Sequence, residues 1–167
     1  MPAHVPASKF HGFHHLHFYV GNAYQAAAFY VSRFGFERFA YRGFETGNRE
    51  VVTHVVKQRD IVLAFSSALT PNNREFTEHL GKHGDGVKDI AFVVDDSAAV
   101  FKAAVANGAV AVNPPQEFKD DHGSVIISSI RTVSYQIKSN QKKKKKIFSR
   151  KKNNNNNILS IIQKYIY

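Results

Sequence analysis

The chain has 167 residues, of which 43% are hydrophobic and 13% aromatic, a size and composition typical of one globular domain with a buried core. The formal net charge is +10, but residues 133–167 carry the whole excess, with 10 Lys or Arg and no acid, while residues 1–132 hold 13 basic and 13 acidic residues. The charge therefore does not indicate a nucleic-acid-binding domain, and the lack of cysteine excludes disulfides, thiolate metal ligands and cysteine nucleophiles.

Residues 1–12 are expected to form a flexible amino terminus. This segment lacks the apolar stretch of a secretory signal, and no part of the chain approaches the roughly 20 consecutive apolar residues that a membrane-spanning helix needs. We therefore expect a soluble cytoplasmic protein.

Residues 13–69 follow the pattern of a βαβββ module. An aromatic and β-branched run over 13–20 predicts a strand, and Asn22 is placed to cap the helix that follows it. Apolar residues recur at helical spacing from Ala23 to Phe34, and Gly35 stands where a left-handed residue ends a helix. Three further strands are predicted at residues 36–41, 50–57 and 61–66.

Residues 87–132 repeat much of this order after a connection that contains a short predicted helix over 75–82. A strand over 87–94 leads to a cap at Asp96 or Ser97, a helix over 98–107, and a stop at Gly108. Two strands follow, at 109–112 and 124–130, with a break predicted at Pro114-Pro115. The sequence thus predicts an α+β domain over residues 13–132, built from two βαβββ modules.

The second module lacks a candidate for its closing strand. Residues 133–137 alternate apolar and polar side chains, but no Gly, Pro or Asn reverses the chain between them and the preceding strand. We expect the strand over 124–130 to present an unpaired apolar edge, which favours aggregation. The Lys and Asn tracts that follow cannot bury enough apolar surface to order themselves, so residues 133–167 are predicted to be a disordered tail.

Several segments resemble one known family. They are Gly21-Asn22-Ala23, YRGFETG over 41–47, REVV over 49–52, SSAL over 66–69 and HLGKHGDGVKDIA over 79–91. Residues 9–132 look like the amino-terminal domain of the 4-hydroxyphenylpyruvate dioxygenases, which belong to the glyoxalase-like vicinal-oxygen-chelate superfamily. The resemblance ends near Thr132, and we expect a truncated chain, either because an A/T-rich intron is read through into the tail or because the gene is a fragment.

The resemblance implies an Fe(II)-dependent enzyme of tyrosine catabolism that converts 4-hydroxyphenylpyruvate to homogentisate with dioxygen. Two His and one carboxylate hold such an iron and leave positions open for substrate and oxygen. In this family those ligands belong to the carboxy-terminal domain. We therefore expect no catalytic residue and no cofactor in this chain, and its substrate-binding residues are unknown.

A metal site within the chain is the alternative. His15 and His17 share one face of the first predicted strand, and imidazole is the commonest transition-metal ligand. His54 is the ligand proposed from another strand. Packing or edge roles are the favoured interpretation of these residues. The further candidates near the site are His11, His14, Glu50 and His122.

Three functions therefore remain in view. The first is a truncated dioxygenase that is inactive alone. The second is a small homodimeric metal-binding lyase or resistance-type protein of the same superfamily. The third is a non-enzymatic module that self-associates or binds an intact dioxygenase. The basic tail could bind polyanions in a salt-sensitive way, but no specific nucleic acid is expected.

Overall fold

The computed structural model describes residues 8–120, 123–133 and 157–164. Within these residues one mixed sheet carries three helices and a short 3₁₀ turn at Phe44–Thr46. The helices are α1 (Ala23–Phe34), α2 (Arg74–His83) and α3 (Ser97–Ala106). The strands are β1 (Phe10–Tyr19), β2 (Glu37–Arg42), β3 (Val51–Gln58), β4 (Ile61–Ala68), β5 (Gly86–Val94), β6 (Val110–Asp120), β7 (Gly123–Val133) and β8 (Asn157–Lys164).

The predicted α+β fold of two βαβββ modules is confirmed. The sheet order is β2-β3-β4-β1-β5-β8-β7-β6, so each module contributes one half and the halves meet where β1 pairs antiparallel with β5. In the first half β2, β3 and β4 form an antiparallel meander, and β4 then pairs parallel with β1. The two modules thus form one continuous sheet.

Capping signals place the ends of the helices. Asn22 accepts a hydrogen bond from the Gln25 backbone N–H at 3.0 Å, and Gly35 ends α1 with φ at 71°, so the predicted start and stop of α1 hold. Asp96 caps α3 by accepting from the N–H groups of Ala98 and Ala99. Each cap satisfies amide donors that the helix itself leaves unpaired.

Two hydrophobic clusters bind the helices to the sheet. The cluster under α1 contains the fully buried Ala23, Ala27 and Val56 with the nearly buried Phe65. A smaller cluster under α3 contains Val94, Val100 and Ile130. Both clusters lie on the side of the sheet that α1 and α3 cover.

Two predictions about strand limits are wrong. Strand β1 begins at Phe10, so part of the expected flexible amino terminus is paired with β5. Strand β6 runs through Pro114-Pro115, which fall where its register against β7 shifts between Asn113 and Gln116. Since β6 is an edge strand, the missing proline N–H groups interrupt no second ladder.

The place expected to lack a closing strand is occupied. Strand β8 lies between β5 and β7, so the expectations of an open second module and an unpaired apolar edge on β7 are wrong. The predicted disorder of the tail does not hold for Asn157–Lys164. Local periodicity missed this pairing because its partner strands are distant in sequence. The rest of the tail, residues 134–156 and 165–167, lies outside the described residues.

Candidate functional site

The two sides of the sheet differ in chemistry. Leu16 and Phe18 of β1 pack into the cluster under α1, so we call that side the helix face. Their alternating neighbours His15, His17 and Tyr19 project from the other side, which we call the open face. The open face along β1 therefore carries a row of groups capable of proton transfer and hydrogen bonding.

A local irregularity adds His14 to this row. The pairing of β1 with β5 shifts between Phe13 and His15, as in a β-bulge, and the Nδ1 atoms of His14 and His15 come within 2.8 Å. Burial and then the charge of the neighbouring His14 lower the pKa of His15 to about 4. Burial and then the charge of Lys57 lower the pKa of His14. Both rings are therefore neutral near pH 7.

An apolar cavity of about 530 Å³ lies beside these two rings. Its walls include His14, His15, Ile61, Val62 and Ile90. A cavity with mostly apolar walls, two neutral imidazoles and the carboxylate residue Asp60 has the character of a small-molecule pocket.

His17 stands at the centre of a polar network that joins four strands. Its Nδ1 lies 3.1 Å from Asp89 Oδ2 on β5, and its Nε2 lies 2.7 Å from Ser66 Oγ on β4. Ser66 Oγ in turn lies 2.7 Å from Thr53 Oγ1 on β3. A neutral imidazole protonated at Nδ1 satisfies all three bonds: Thr53 donates to Ser66, Ser66 donates to Nε2, and Nδ1 donates to Asp89.

The connectivity from Asp89 through His17 to Ser66 matches that of a serine hydrolase triad, but the surroundings do not. Ser66 is only 1% exposed and lies inside strand β4, whereas a nucleophilic serine must reach the substrate from a turn or cleft. The network therefore fixes the strands in register and orients His17 instead of activating a nucleophile.

The end of β1 is covered by α2. Tyr19 stacks on Phe76 with ring centroids 3.9 Å apart and donates to Glu75 Oε1 at 3.2 Å. Lys88 also donates to Glu75 Oε1, at 2.5 Å, and sits 4.9 Å from the centre of the Tyr19 ring. Partial burial raises the pKa of Glu75, but the hydrogen bond and charge of Lys88 outweigh it, so the net pKa is below the usual range.

Burial raises the pKa of Tyr19 far above its usual range, and the negative charge of Glu75 adds to this effect. Tyr19 is therefore a neutral hydrogen-bond donor at any physiological pH. Together with the ion pair between Glu75 and Lys88, it holds α2 against the open face. This arrangement is suited to docking a helix against the sheet.

The structure does not bring the predicted metal ligands together. His15 and His17 lie on the open face, whereas His54 lies on the helix face, with ring centroids 5.6 Å from Tyr24 and 5.0 Å from Tyr41. Of the other candidate ligands, Glu50 precedes β3 and His11 pairs with Asp95. His122 is outside the described residues.

These residues do not fit an iron centre of the two-His, one-carboxylate type. Both ring nitrogens of His17 already have protein partners, and the described part of the chain holds no group of three His, Asp or Glu placed to share a metal ion. Sequence reasoning missed Asp89, Ser66 and Thr53 as partners of His17. The available signal was Asp89 next to the apolar run of residues 90–94 in β5, where a largely buried carboxylate needs a partner.

Comparisons with known proteins agree with this fold. The Glyoxalase/Bleomycin resistance protein/Dioxygenase superfamily matches residues 12–132. A 4-hydroxyphenylpyruvate dioxygenase from Tetrahymena thermophila is 52% identical over 128 residues, covering 74% of this chain and 32% of that protein. One from Sus scrofa is 58% identical over 104 residues, covering 62% of this chain and 26% of that protein. The chain thus spans about a third or less of the length of these curated relatives.

Solved structures give the same architecture. A mutant 4-hydroxymandelate synthase from Streptomyces coelicolor superposes with a TM-score of 0.68 at 21% identity, covering 95% of this chain and 39% of that chain. A methylmalonyl-CoA epimerase from Mycobacterium tuberculosis superposes with a TM-score of 0.56 at 12% identity, covering 97% and 93%. At these identities the likeness concerns the fold alone. Among the described residues, no helix combines the length and apolarity needed to cross a bilayer.

Proposed function

This chain belongs to the glyoxalase/bleomycin resistance protein/dioxygenase superfamily, and from that premise we propose that its folded part is the non-catalytic amino-terminal domain of a 4-hydroxyphenylpyruvate dioxygenase. The identity of about half to curated proteins of that name supports the assignment, as do the segments over 41–47 and 79–91. The family reaction, Fe(II)-dependent conversion of 4-hydroxyphenylpyruvate to homogentisate, then belongs to the part of the relatives that this chain does not cover.

The observation that carries the proposal is the state of His17. A metal ligand needs a free nitrogen lone pair, but Asp89 and Ser66 engage both nitrogens of this ring. The nearby His15 has its Nδ1 against His14, and His54 lies across the sheet. In this proposal the polar row on the open face is structural, and the chain by itself performs no iron chemistry.

The proposed role of the domain is assembly. The two modules share one continuous sheet, and a helix packs on each half of it. This gives a rigid body against which a second domain or subunit can pack. The partners proposed for it are a second copy of the chain or an intact dioxygenase, in the cytoplasm, where the tyrosine-degrading reaction of the family would take place. The basic residues of the tail would bind polyanions without sequence specificity, so we propose no specific nucleic acid as a partner.

Anaerobic titration with Fe(II), followed by desalting and metal analysis by mass spectrometry, tests the proposal. We expect well under one iron per chain, and the same value for His17→Ala and for the matched control His54→Ala, which removes a histidine from the opposite face. One iron per chain that is lost in His15→Ala and His17→Ala but kept in His54→Ala would overturn the proposal. That result would favour the metal-binding lyase or resistance-type function instead.

A further inference from the structure

Strands β1 and β5 pair at the middle of the sheet, and each has one more neighbour from its own half. We call the position of that neighbour the slot, and the two modules fill it differently. In the first module β4 fills it, parallel to β1 and antiparallel to β3. In the second module β8 fills the equivalent slot, but it runs antiparallel to β5 and parallel to β7. Strand β8 therefore occupies the position of the closing strand in the reverse direction.

The route of the chain explains this direction. Strand β7 runs to Val133, and because β8 lies parallel to it, the two strands are not joined as a hairpin. A parallel partner needs a crossover of about a dozen residues or more, and residues 134–156 exceed that length. Asn157, the first residue of β8, lies opposite Ile126, which is about 23 Å back along β7 from Val133 at about 3.3 Å per residue.

Pairing in the slot extends on both sides. Residues 89–94 of β5 pair with Ile162 back to Asn157, and residues 126–133 of β7 pair with Asn157 through Lys164. The inserted sequence, NILSIIQK, is rich in β-branched residues, which favour strands. The slot thus holds the strand through backbone pairing on both sides, and the inserted sequence needs above all a high strand propensity.

We propose that the slot between β5 and β7 is a strand-acceptor site, and that residues 157–164 of the same chain serve it as a surrogate closing strand. Residues 134–156 then serve as a tether that links this strand to the rest of the domain. A tether the length of residues 134–156 gives an effective concentration on the order of millimolar. At micromolar protein concentration the strand therefore inserts into its own chain and does not exchange between copies.

The inserted strand has a structural consequence. An empty slot would leave two strand edges in the middle of the sheet, each with a row of unpaired backbone N–H and C=O groups. Strand β8 covers both edges at once, and it does so without the family's own closing strand. This inference does not depend on whether the domain assists a dioxygenase.

Engineered disulfides test the proposal in the full-length chain, whose lack of cysteine leaves no competing thiol. In the register of β7 with β8, Arg131 lies opposite Ile162, whereas Ile158 lies four positions away, about 13 Å along the strand. We compare Arg131→Cys with Ile162→Cys against the matched control Arg131→Cys with Ile158→Cys. If β8 ran in the opposite direction with Ser129 and Ser160 still paired, Ile158 would lie opposite Arg131. The control pair would then form the disulfide instead.

The expected result is an intramolecular disulfide, seen as a monomer on non-reducing gels, forming on the order of tenfold faster in the first pair than in the control. Faster cross-linking of the control, equal rates, or no cross-linking in either would overturn the proposal. Cross-linked dimers at micromolar concentration would overturn insertion within the chain. If either variant fails to fold, Ser129→Cys with Ser160→Cys tests insertion at the centre of the same register, where absence of an intramolecular disulfide would again overturn it.

Discussion

Acidification should destabilise the domain through His15. The fold lowers the pKa of this imidazole from 6.5 to about 4, first by burial and then by the adjacent His14. Between these two values the unfolded chain binds a proton that the folded chain does not, so folding stability must decrease as the pH falls. Well above pH 6.5 the ring is neutral in both states, so its contribution to stability no longer changes with pH.

The size of the effect follows from the shift. Each pKa unit corresponds to about 1.4 kcal/mol, so lowering the pH from 6.5 to 4 should remove about 3 kcal/mol from the free energy of unfolding. This is a large part of the roughly 5–15 kcal/mol that holds a typical domain together. His14, His54 and His79 also have lowered pKa values, so they act in the same direction.

Urea unfolding at a series of pH values measures the effect. His15→Gln keeps a polar side chain but does not titrate, so its stability should change less with pH than that of the unmodified chain, with an unchanged m-value. His14→Gln is the companion variant: it removes one cause of the shift and should raise the pKa of His15 in an NMR titration, though burial keeps it below 6.5. Identical pH profiles for the unmodified chain and His15→Gln, or titration of His15 near 6.5, would refute the reasoning.

Two further pairs of substitutions test the network and the core. Ser66→Ala removes the hydroxyl shared by His17 and Thr53 and should cost about 1–3 kcal/mol in urea unfolding, whereas Thr53→Ser keeps its hydroxyl and should cost less; equal losses would argue against the network. A fluorophosphonate probe, which labels nucleophilic serines, should leave the buried Ser66 unlabelled. Labelling of Ser66 would show an accessible nucleophile. Phe65→Ala should cost about 3–5 kcal/mol because Phe65 is 2% exposed, against about 0.5 kcal/mol for the 53% exposed Phe118→Ala; similar losses in thermal melts would contradict the assigned core.

Local signals made the first module predictable. Strong capping and stop residues bracket α1, so Asn22 and Gly35 give its limits from sequence alone. The repeated strand-helix order then gives the second module. The same local rules fail at the Pro114-Pro115 pair, because a proline is excluded only where its N–H would join a ladder, and edge position depends on the whole sheet.

The site depends on features that local patterns do not contain. Strict alternation would place His14 and His15 on opposite faces, and the bulge in β1 brings them together. The partners of His17 come from strands far away in sequence, so no local spacing reveals them. Strand β8 is the extreme case, since a segment beyond the Lys and Asn tracts inserts between two strands of the domain.

The most direct test of the proposed function is an assay of the purified full-length chain with Fe(II), 4-hydroxyphenylpyruvate and dioxygen. Oxygen uptake and homogentisate are measured together, with Fe(II) and substrate alone as the control. We predict no homogentisate above that control, because the open face offers no three-ligand set among its described residues. Homogentisate formation that requires the chain, and that is lost when His15 and His17 are replaced by alanine, would contradict the proposed function.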